Sequence, residues 1–304
     1  MPSSRPARRW PGSEEVLAGL AAHLDGGHPP PRSDDVDEVA ALVARHGAAV
    51  LTGCATGPAD AGPADAGPAD AGPADAVAAA EAIFAGHVLA VPEAAEVRSG
   101  GVRDQAARRV GPDEALGGHT DGFAYGDHYP DQLLLLCARS SPEGGESFVV
   151  DGAALVAALS ASPAGAELVR LLASVPVDQT EDGMQAACSP VIGATPAGRP
   201  MLRRFPFQRP AAGSDDPERD EQLLAFWRDA CAVASSLAPR WKLHEGDLLV
   251  ADNYRMLHGR EPYRDPERLM WRVWVWTDAS NGLPSGRLHS DTRYAGAALT
   301  GYGA

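Results

Sequence analysis

The sequence predicts an α+β fold that is mainly β, with a jelly-roll core flanked by helices. Many short strand patterns recur along the chain, and the helix patterns stand mainly outside them. The chain has 304 residues, of which 44% are apolar, so it can bury a sizeable core. We therefore expect a single domain that spans residues 1–304.

Four helical regions are predicted from apolar spacing and end signals. VDEVAALVARH (36–46) follows a capping residue, Ser33 or Asp34, and ends before Gly47, after which AAVLT forms a buried strand. AVAAAEAIFAGHV (76–88) and residues 153–172, interrupted near Pro163, follow. The longest helix is DEQLLAFWRDACAVASSLA (220–238), in which apolar residues at helical spacing predict a buried face: Leu223, Leu224, Trp227, Cys231 and Ala234.

Strand patterns fill most of the remaining chain. QLLLLCAR (132–139) and SFVVD (147–151) flank the turn SPEGGE, which predicts a hairpin. SVPVDQ, SPVIGAT, PMLRRFPF, RWKLH and LLVADN are also predicted strands. In RLMWRVWVWTD (268–278), alternation places four side chains on one face: Met270, Arg272, Trp274 and Trp276.

Two segments are expected to lie outside this framework. Residues 57–76 repeat GPADA four times, and a proline and a glycine in every fifth position predict an exposed loop with no regular helix or paired strand. Residues 93–116 mix charge with glycine, as loops that close over a pocket do, so a lid is expected there.

Composition limits the classes of partner. A formal net charge of −15 disfavours nucleic acid and anionic membranes, which leaves a small molecule as the expected partner. The chain has no apolar run near ~18 residues and no secretion signal, so a cytoplasmic location is expected. Four cysteines stand far apart without a C-x-x-C pair, which predicts reduced and mostly buried thiols. The oligomeric state is left open.

The stretch GGHTDGF (117–123) holds a candidate metal site. In an extended strand, His119 and Asp121 point to the same face. The tripeptide alone is weak, because roughly one H-x-[DE] arises by chance in a chain of this composition. LLVADNYRMLHGR adds His258 after a strand, and Arg272 follows fourteen residues later in the next strand.

Two imidazoles and one carboxylate form the facial triad of non-haem Fe(II) oxygenases, which leaves open positions on one side of the metal. A 2-oxo acid can chelate there, and an inward-facing Arg272 is suited to its far carboxylate. Alternatively, Arg272 extends to solvent. The same three ligands also suit a zinc-dependent hydrolase or isomerase. A catalytically silent jelly-roll binding protein is the third interpretation.

The motifs HTDG, GGES and GDLLVADNYRMLHGR, with the arginine that follows, resemble a known superfamily. They are similar to the Fe(II)/2-oxoglutarate dioxygenases of the taurine dioxygenase, clavaminate synthase and γ-butyrobetaine hydroxylase superfamily. The similarity runs from about residue 117 to residue 278, with a weaker match in HGAAVLTG (46–53).

The resemblance implies a double-stranded β-helix in which His119, Asp121 and His258 bind Fe(II). It implies that Arg272 holds the distal carboxylate of 2-oxoglutarate, with Ser147 and Arg268 as further cosubstrate contacts. The implied reaction consumes O₂, releases succinate and CO₂, and hydroxylates a small molecule. Because Asp121 keeps the carboxylate that halogenating members lack, oxygenation is expected; desaturation and cyclisation remain open.

The substrate is the least determined feature. Arg204, Arg209 and Arg260 are candidates for contact with a carboxylate or phosphate, and the acidic loop GDHYPD (126–131) is a candidate for a cationic group. An amino acid or a natural-product intermediate is the expected substrate class.

Overall fold

Two β-sheets lie between two groups of helices in the computed structural model, which describes residues 10–54, 71–98, 113–180 and 186–291. The helices of this part of the chain are α1 (Ser13–His23), α2 (Val36–His46), α3 (Pro73–Ile83), α4 (Gly152–Leu159), α5 (Pro163–Leu172) and α6 (Pro217–Leu237).

The strands follow one another along the chain with helices between some of them. They are β1 (Arg32–Ser33), β2 (Ala48–Leu51), β3 (Val88–Ala90), β4 (Ala95–Arg98), β5 (Leu116–His119), β6 (Gln132–Arg139), β7 (Ser147–Asp151), β8 (Val177–Asp178), β9 (Cys188–Ser189), β10 (Ile192–Ala194), β11 (Pro200–Leu202), β12 (Arg209–Pro210), β13 (Leu248–Asp252), β14 (Met256–Arg260) and β15 (Leu269–Thr277).

The larger sheet has the strand order β1-β2-β13-β6-β15-β3, and β4 also pairs with β15. The smaller sheet has the order β5-β14-β7. Both sheets are antiparallel apart from the parallel contact between β1 and β2. Two short pieces, β10-β11 and β12-β8-β9, complete the β structure of the described residues.

The core follows from side-chain alternation along the strands. One set of side chains lies between the two sheets: Val50 of β2, Val149 of β7, Met256 of β14 and Met270 of β15 belong to one buried cluster. The opposite face of the larger sheet is covered by α2 and α3. The outer face of the smaller sheet is covered by α1, α4, α5 and α6. Each sheet is therefore buried on both faces.

The helix predictions are largely confirmed, with a correction to one cap. α2 has the predicted end at Gly47, but its N-cap is Asp35, whose carboxylate accepts from the amides of Asp37 and Glu38. The chain breaks between α4 and α5 before Pro163, as expected, and Ser162 caps α5. The apolar stripe of α6 is buried, as its spacing predicts.

The loop predicted at residues 57–76 is wrong for its last repeat. The fourth GPADA copy supplies Gly72 as N-cap and Pro73 as the first residue of α3. Proline is compatible with the first helical turn, because its missing N–H has no helical acceptor there. The Asp75 carboxylate accepts from the Gly72 amide at 2.8 Å and holds this start. Residues 55–70 lie outside the described part, as does most of the predicted lid.

The predicted hairpin of residues 132–139 and 147–151 is also wrong. β6 pairs with β13 and β15 in the larger sheet, whereas β7 pairs with β14 in the smaller one. The turn SPEGGE therefore connects the two sheets. Of the cysteines, Cys54, Cys137 and Cys231 are buried and Cys188 is exposed, and all four are free. Among the described residues, no helix has the length and apolarity needed to cross a membrane.

Gly259 lies beside His258 in β14, and a methyl group there would overlap the Phe148 ring and the Leu116 carbonyl. We expect Gly259→Ala to push β5 away from β14 and to lower the free energy of unfolding by about 1–3 kcal/mol. Gly117→Ala is the matched control, because a methyl at Gly117 meets nothing within 4 Å. Urea denaturation compares the two, and equal stability would contradict the predicted overlap.

Candidate metal centre

The pairing of β5 with β14 brings the predicted ligands together. His119 ends β5 and lies opposite His258 in the antiparallel register, so the two ring centroids are 4.1 Å apart. One ligand atom from each of His119, Asp121 and His258 lies within 4.8 Å of the other two. His258 comes after the strand LLVAD (β13), as the sequence indicated, and itself lies within the next strand, β14.

Asp121 lies just beyond β5 and is held through its backbone. Asn253 accepts from the Asp121 amide at 3.0 Å, and its own amide donates to the carbonyls of Asp121 at 3.0 Å and Pro130 at 2.8 Å. Gly122 then turns the chain with φ +82°, a left-handed conformation that favours glycine. Asn253 was missed by sequence reasoning, although it is part of the motif DNYRMLHGR.

The two oxygens of the Asp121 carboxylate have different surroundings. Oδ1 faces the imidazoles, at 3.3 Å from Nε2 of His119 and 3.9 Å from Nε2 of His258. Oδ2 accepts hydrogen bonds from Nε1 of Trp274 at 3.0 Å and from Nη1 of Arg272 at 3.1 Å. Oδ1 therefore remains available to a metal.

The protonation states at neutral pH suit metal binding. Burial raises the pKa of the Asp121 carboxyl, but the Arg272 guanidinium and the two imidazoles outweigh this, so its pKa lies well below the usual value. Burial, reinforced by His119, lowers the pKa of His258 to about 3. An ionised carboxylate and a neutral imidazole are the forms that coordinate a cation.

The donor set limits the metal. Two imidazole nitrogens and one carboxylate oxygen, all within 4.8 Å of one another, fit a facially coordinated Fe(II). Catalytic zinc uses similar ligands, so the triad alone does not separate the two metals.

Arg272 and Arg268, four residues apart on or beside β15, have different partners. Besides Asp121, Arg272 donates from Nε to the Ser290 carbonyl at 2.9 Å. Arg268 is only 7% exposed, and its guanidinium lies over the Tyr263 ring at 4.7 Å, beside Gly145. Within the described residues, the Arg268 guanidinium has no carboxylate partner and no hydrogen bond.

Ser147, in the same GGES turn as Gly145, is buried as well. Its backbone pairs with Trp241, through N–H to carbonyl contacts of 2.7 and 3.1 Å. The indole N–H of Trp241 is buried and has no hydrogen-bond partner in the described structure. Uncompensated donors therefore gather around the GGES turn.

The predicted substrate residues have different partners. The Thr120 amide, between two of the ligands, donates to the Arg204 carbonyl, and the Arg204 amide donates to the Thr120 hydroxyl. The Arg204 guanidinium contacts Cys231, but its Nε and Nη1 are buried without a partner among the described residues. Arg209 is exposed and bonds to Asp178 at 2.7 Å. Arg260 donates to the carbonyls of Glu114 and Glu261 and lies over the Tyr263 ring.

The acidic residues of the loop GDHYPD have partners elsewhere in the described structure. Asp127 forms an ion pair with Arg203 at 2.9 Å. Asp131 is fully buried and accepts from Thr277 and Arg199. Both carboxylates of this loop therefore already have cationic or hydrogen-bonding partners.

A triad of this kind in a sheet-rich fold defines a candidate metal-dependent enzyme, and the family comparison identifies the class. The family described as taurine catabolism dioxygenase, TauD/TfdA, matches residues 11–274. The chain belongs to this family. The predicted resemblance to Fe(II)/2-oxoglutarate dioxygenases is thereby confirmed at the level of the family.

Solved structures share the fold at low sequence identity. PvcB from Pseudomonas aeruginosa is 19% identical, with a TM-score of 0.54 over 87% of this chain and 88% of that chain. An asparagine oxygenase in complex with Fe(II), 3-hydroxyasparagine and succinate is 18% identical, with a TM-score of 0.53 over 88% and 90%. The non-haem iron oxygenase OrfP, with iron and α-ketoglutaric acid, is 18% identical, with a TM-score of 0.51 over 89% and 93%.

The lowered pKa of His258 predicts a pH-dependent stability of the metal-free protein. Below about pH 6.5, the ordinary pKa of histidine, His258 is protonated in the unfolded state but stays neutral in the folded state down to about pH 3. The free energy of unfolding should therefore fall as pH drops from about 6.5 towards 3, by up to ~1.4 kcal/mol per pH unit. Asp121, with its lowered pKa, adds a loss only below about pH 3.8.

Denaturant unfolding of the metal-free protein at several pH values measures this slope. His258→Gln should flatten it between about pH 6.5 and 4, whereas replacing the exposed His87 by glutamine should leave it as in the wild type. A slope that is unchanged in His258→Gln would show that His258 is not the titrating group.

Proposed function

We propose that this protein is an Fe(II)/2-oxoglutarate-dependent hydroxylase of a small molecule, with iron held by His119, Asp121 and His258. The two sheets then correspond to the two halves of a double-stranded β-helix. The observation that carries the proposal is Arg268, a buried cation with no anionic partner among the described residues, in a protein of net charge −15. A buried charge is costly unless it is paired, so the pocket fits an anionic ligand.

A dicarboxylic cosubstrate matches this arrangement. Its 2-oxo acid end would bind the metal held by His119, Asp121 and His258, and its far carboxylate would be held beside the GGES turn. Arg268 supplies a planar pair of donors there, and the buried hydroxyl of Ser147 supplies another. We propose these two residues as the distal carboxylate site.

Arg272 takes a different role from the one that the sequence analysis favoured. Its Nη1 donates to Asp121, so it lies beside the metal-bound end of the cosubstrate. We propose that Arg272 neutralises part of the charge of Asp121 and borders the chelating carboxylate. Iron with bound 2-oxoglutarate supplies the chemistry, in which O₂ is consumed, succinate and CO₂ form, and one oxygen atom enters a C–H bond.

For the substrate we propose an amino acid or a related natural-product intermediate. Among the structural neighbours, the asparagine oxygenase was solved with hydroxyasparagine, and OrfP with (3S)-hydroxy-L-Arg. Arg204, whose Nε and Nη1 have no hydrogen-bond partner among the described residues, is the best candidate for a substrate carboxylate, and the engaged Arg260 is less suited. The stacked rings of Phe123 and Phe205, 4.3 Å apart, border the same segment.

The alternatives explain less of the site. A zinc hydrolase or a silent binding protein would use the triad or the fold but gives Arg268 no partner. Four free cysteines fit a reducing compartment, which supports the proposed cytoplasmic location.

Arg268→Ala should weaken 2-oxoglutarate binding about thirty-fold to several thousand-fold, the range for breaking a buried charge pair worth roughly 2–5 kcal/mol. An anaerobic titration of the Fe(II) protein, followed by charge-transfer absorption, measures the dissociation constant. Arg139→Ala is the control, since Arg139 is exposed and pairs with Glu267. A larger loss in Arg272→Ala than in Arg268→Ala would return the distal carboxylate to Arg272.

The reaction itself is tested by succinate release in the presence of Fe(II), ascorbate and 2-oxoglutarate, with a panel of L-amino acids as substrates. We expect succinate formation coupled to a product 16 mass units heavier than one substrate, the gain of one oxygen atom. His258→Ala should abolish both signals, while His87→Ala should retain them. Zinc-dependent hydrolysis without succinate would contradict the proposal.

A further inference from the structure

The outer oxygen of Asp121 is the most tightly held atom of the site. Oδ2 accepts from Nε1 of Trp274 and from Nη1 of Arg272 at nearly equal distances, 3.0 and 3.1 Å. Asp121 is 6% exposed and Trp274 is fully buried. The two donors therefore reach Oδ2 with little competition from water.

A carboxylate oxygen has two lone pairs, and here two N–H groups occupy both. Oδ1 instead faces the imidazoles, at 3.3 Å from Nε2 of His119 and 3.9 Å from Nε2 of His258. We infer that Trp274 is a positioning residue, which together with Arg272 restricts Asp121 to binding iron through Oδ1 alone. The inference rests on the proposed iron site.

One-oxygen binding matters for the proposed chemistry. A carboxylate that turns to chelate through both oxygens takes an additional position on the metal. A facial triad works because its three protein ligands leave the other positions open for a bidentate 2-oxo acid and O₂. With Oδ2 held by Trp274 and Arg272, the second oxygen does not compete with 2-oxoglutarate.

Ser290, which follows β15 in the chain, forms hydrogen bonds with both Arg272 and Trp274, the two residues that donate to Asp121. Ser290, which is fully buried, accepts from Nε of Arg272 through its carbonyl at 2.9 Å, and from the backbone N–H of Trp274 through its hydroxyl at 3.1 Å. The guanidinium of Arg272 also lies over the Trp274 ring at 4.6 Å. On this side of β15, β4 pairs as far as Arg272 and β3 pairs from Trp276, so Ser290 fills the gap between them.

Trp276 provides a matched comparison on the same strand. It is also fully buried, and its ring meets Tyr125 edge-on, as that of Trp274 does. Its Nε1 donates to the His128 carbonyl at 2.7 Å, which is not part of the metal site. Trp274→Phe and Trp276→Phe therefore lose similar volume and one hydrogen bond each, but only Trp274→Phe frees a metal ligand.

The test uses Co(II) as the probe metal, because its visible absorption reports coordination number, together with X-ray absorption of the Fe(II) protein. Trp276→Phe should match the wild type in both spectra. Trp274→Phe should gain an oxygen scatterer at bonding distance, change the Co(II) spectrum, and bind 2-oxoglutarate about tenfold more weakly. Spectra and affinity of Trp274→Phe equal to those of Trp276→Phe would overturn the inference.

A second variant and a wild-type reference separate a failure of folding or of metal binding from a failure of the inference. If Trp274→Phe fails to fold, benzothienylalanine at position 274 replaces only the indole N–H by sulfur, and the same spectral change is expected. The wild-type protein is the reference for the iron site. A wild type that binds no stoichiometric Co(II) or Fe(II) contradicts the proposed function, whereas metal binding with unaltered variants contradicts only the role of Trp274.

Discussion

The antiparallel register of β5 with β14 is the contact on which the metal centre depends. It places His119 opposite His258 on the face that looks into the space between the sheets, while Leu257 faces the helices outside. Since side chains alternate along a strand, a slip of one residue would turn one imidazole to the helical side. Gly118 and Gly259 permit this close pairing, because added methyl groups would meet Ser235 and Phe148 respectively.

The buried charged side chains near the pairing of β5 with β14 differ in how well they are compensated. Asp121 and Arg272 form a buried pair, whose desolvation is offset by hydrogen bonds from Trp274 and to Ser290. Arg268 has no such hydrogen bonds within the described residues and lies against the Tyr263 ring. The proposed pairing of Arg268 with 2-oxoglutarate implies that the cosubstrate, by binding only the folded state, stabilises the protein by mass action.

Local patterns predicted the site well, because its chemistry is encoded in short segments. H-x-D places two ligands on one face, and the alternation in LMWRVWVW correctly turned Arg272 inward, where it meets Asp121. The stripe of α6 was predicted for the same reason. The cap of the second helix was missed by one or two residues, because Ser33, Asp34 and Asp35 are all competent caps and only the backbone selects one.

Long-range pairing was not predictable in this way. The turn SPEGGE is compatible with a hairpin. However, β6 pairs with β13 and β7 pairs with β14, strands that lie about a hundred residues later in the chain and in two different sheets. Asn253 and Ser290 were missed because their roles are contacts to the backbone or side chains of distant segments. Nothing in the sequence around Ser290 signals such a contact.

The separation of the two arginines has a backbone cause. Arg268 and Arg272 stand four residues apart, so in a regular strand both would point to one face. β15 keeps a regular register against β4 from Leu269 to Arg272, and the shift against β6 places the extra residue, Ala138, in β6. Four residues of extended chain, roughly 13 Å, therefore separate the two arginines along β15. Arg268 lies over the Tyr263 ring beside the GGES turn, while Arg272 lies beside Asp121. The extended backbone thus gives the two guanidinium groups different partners, as the proposed division of roles between them requires.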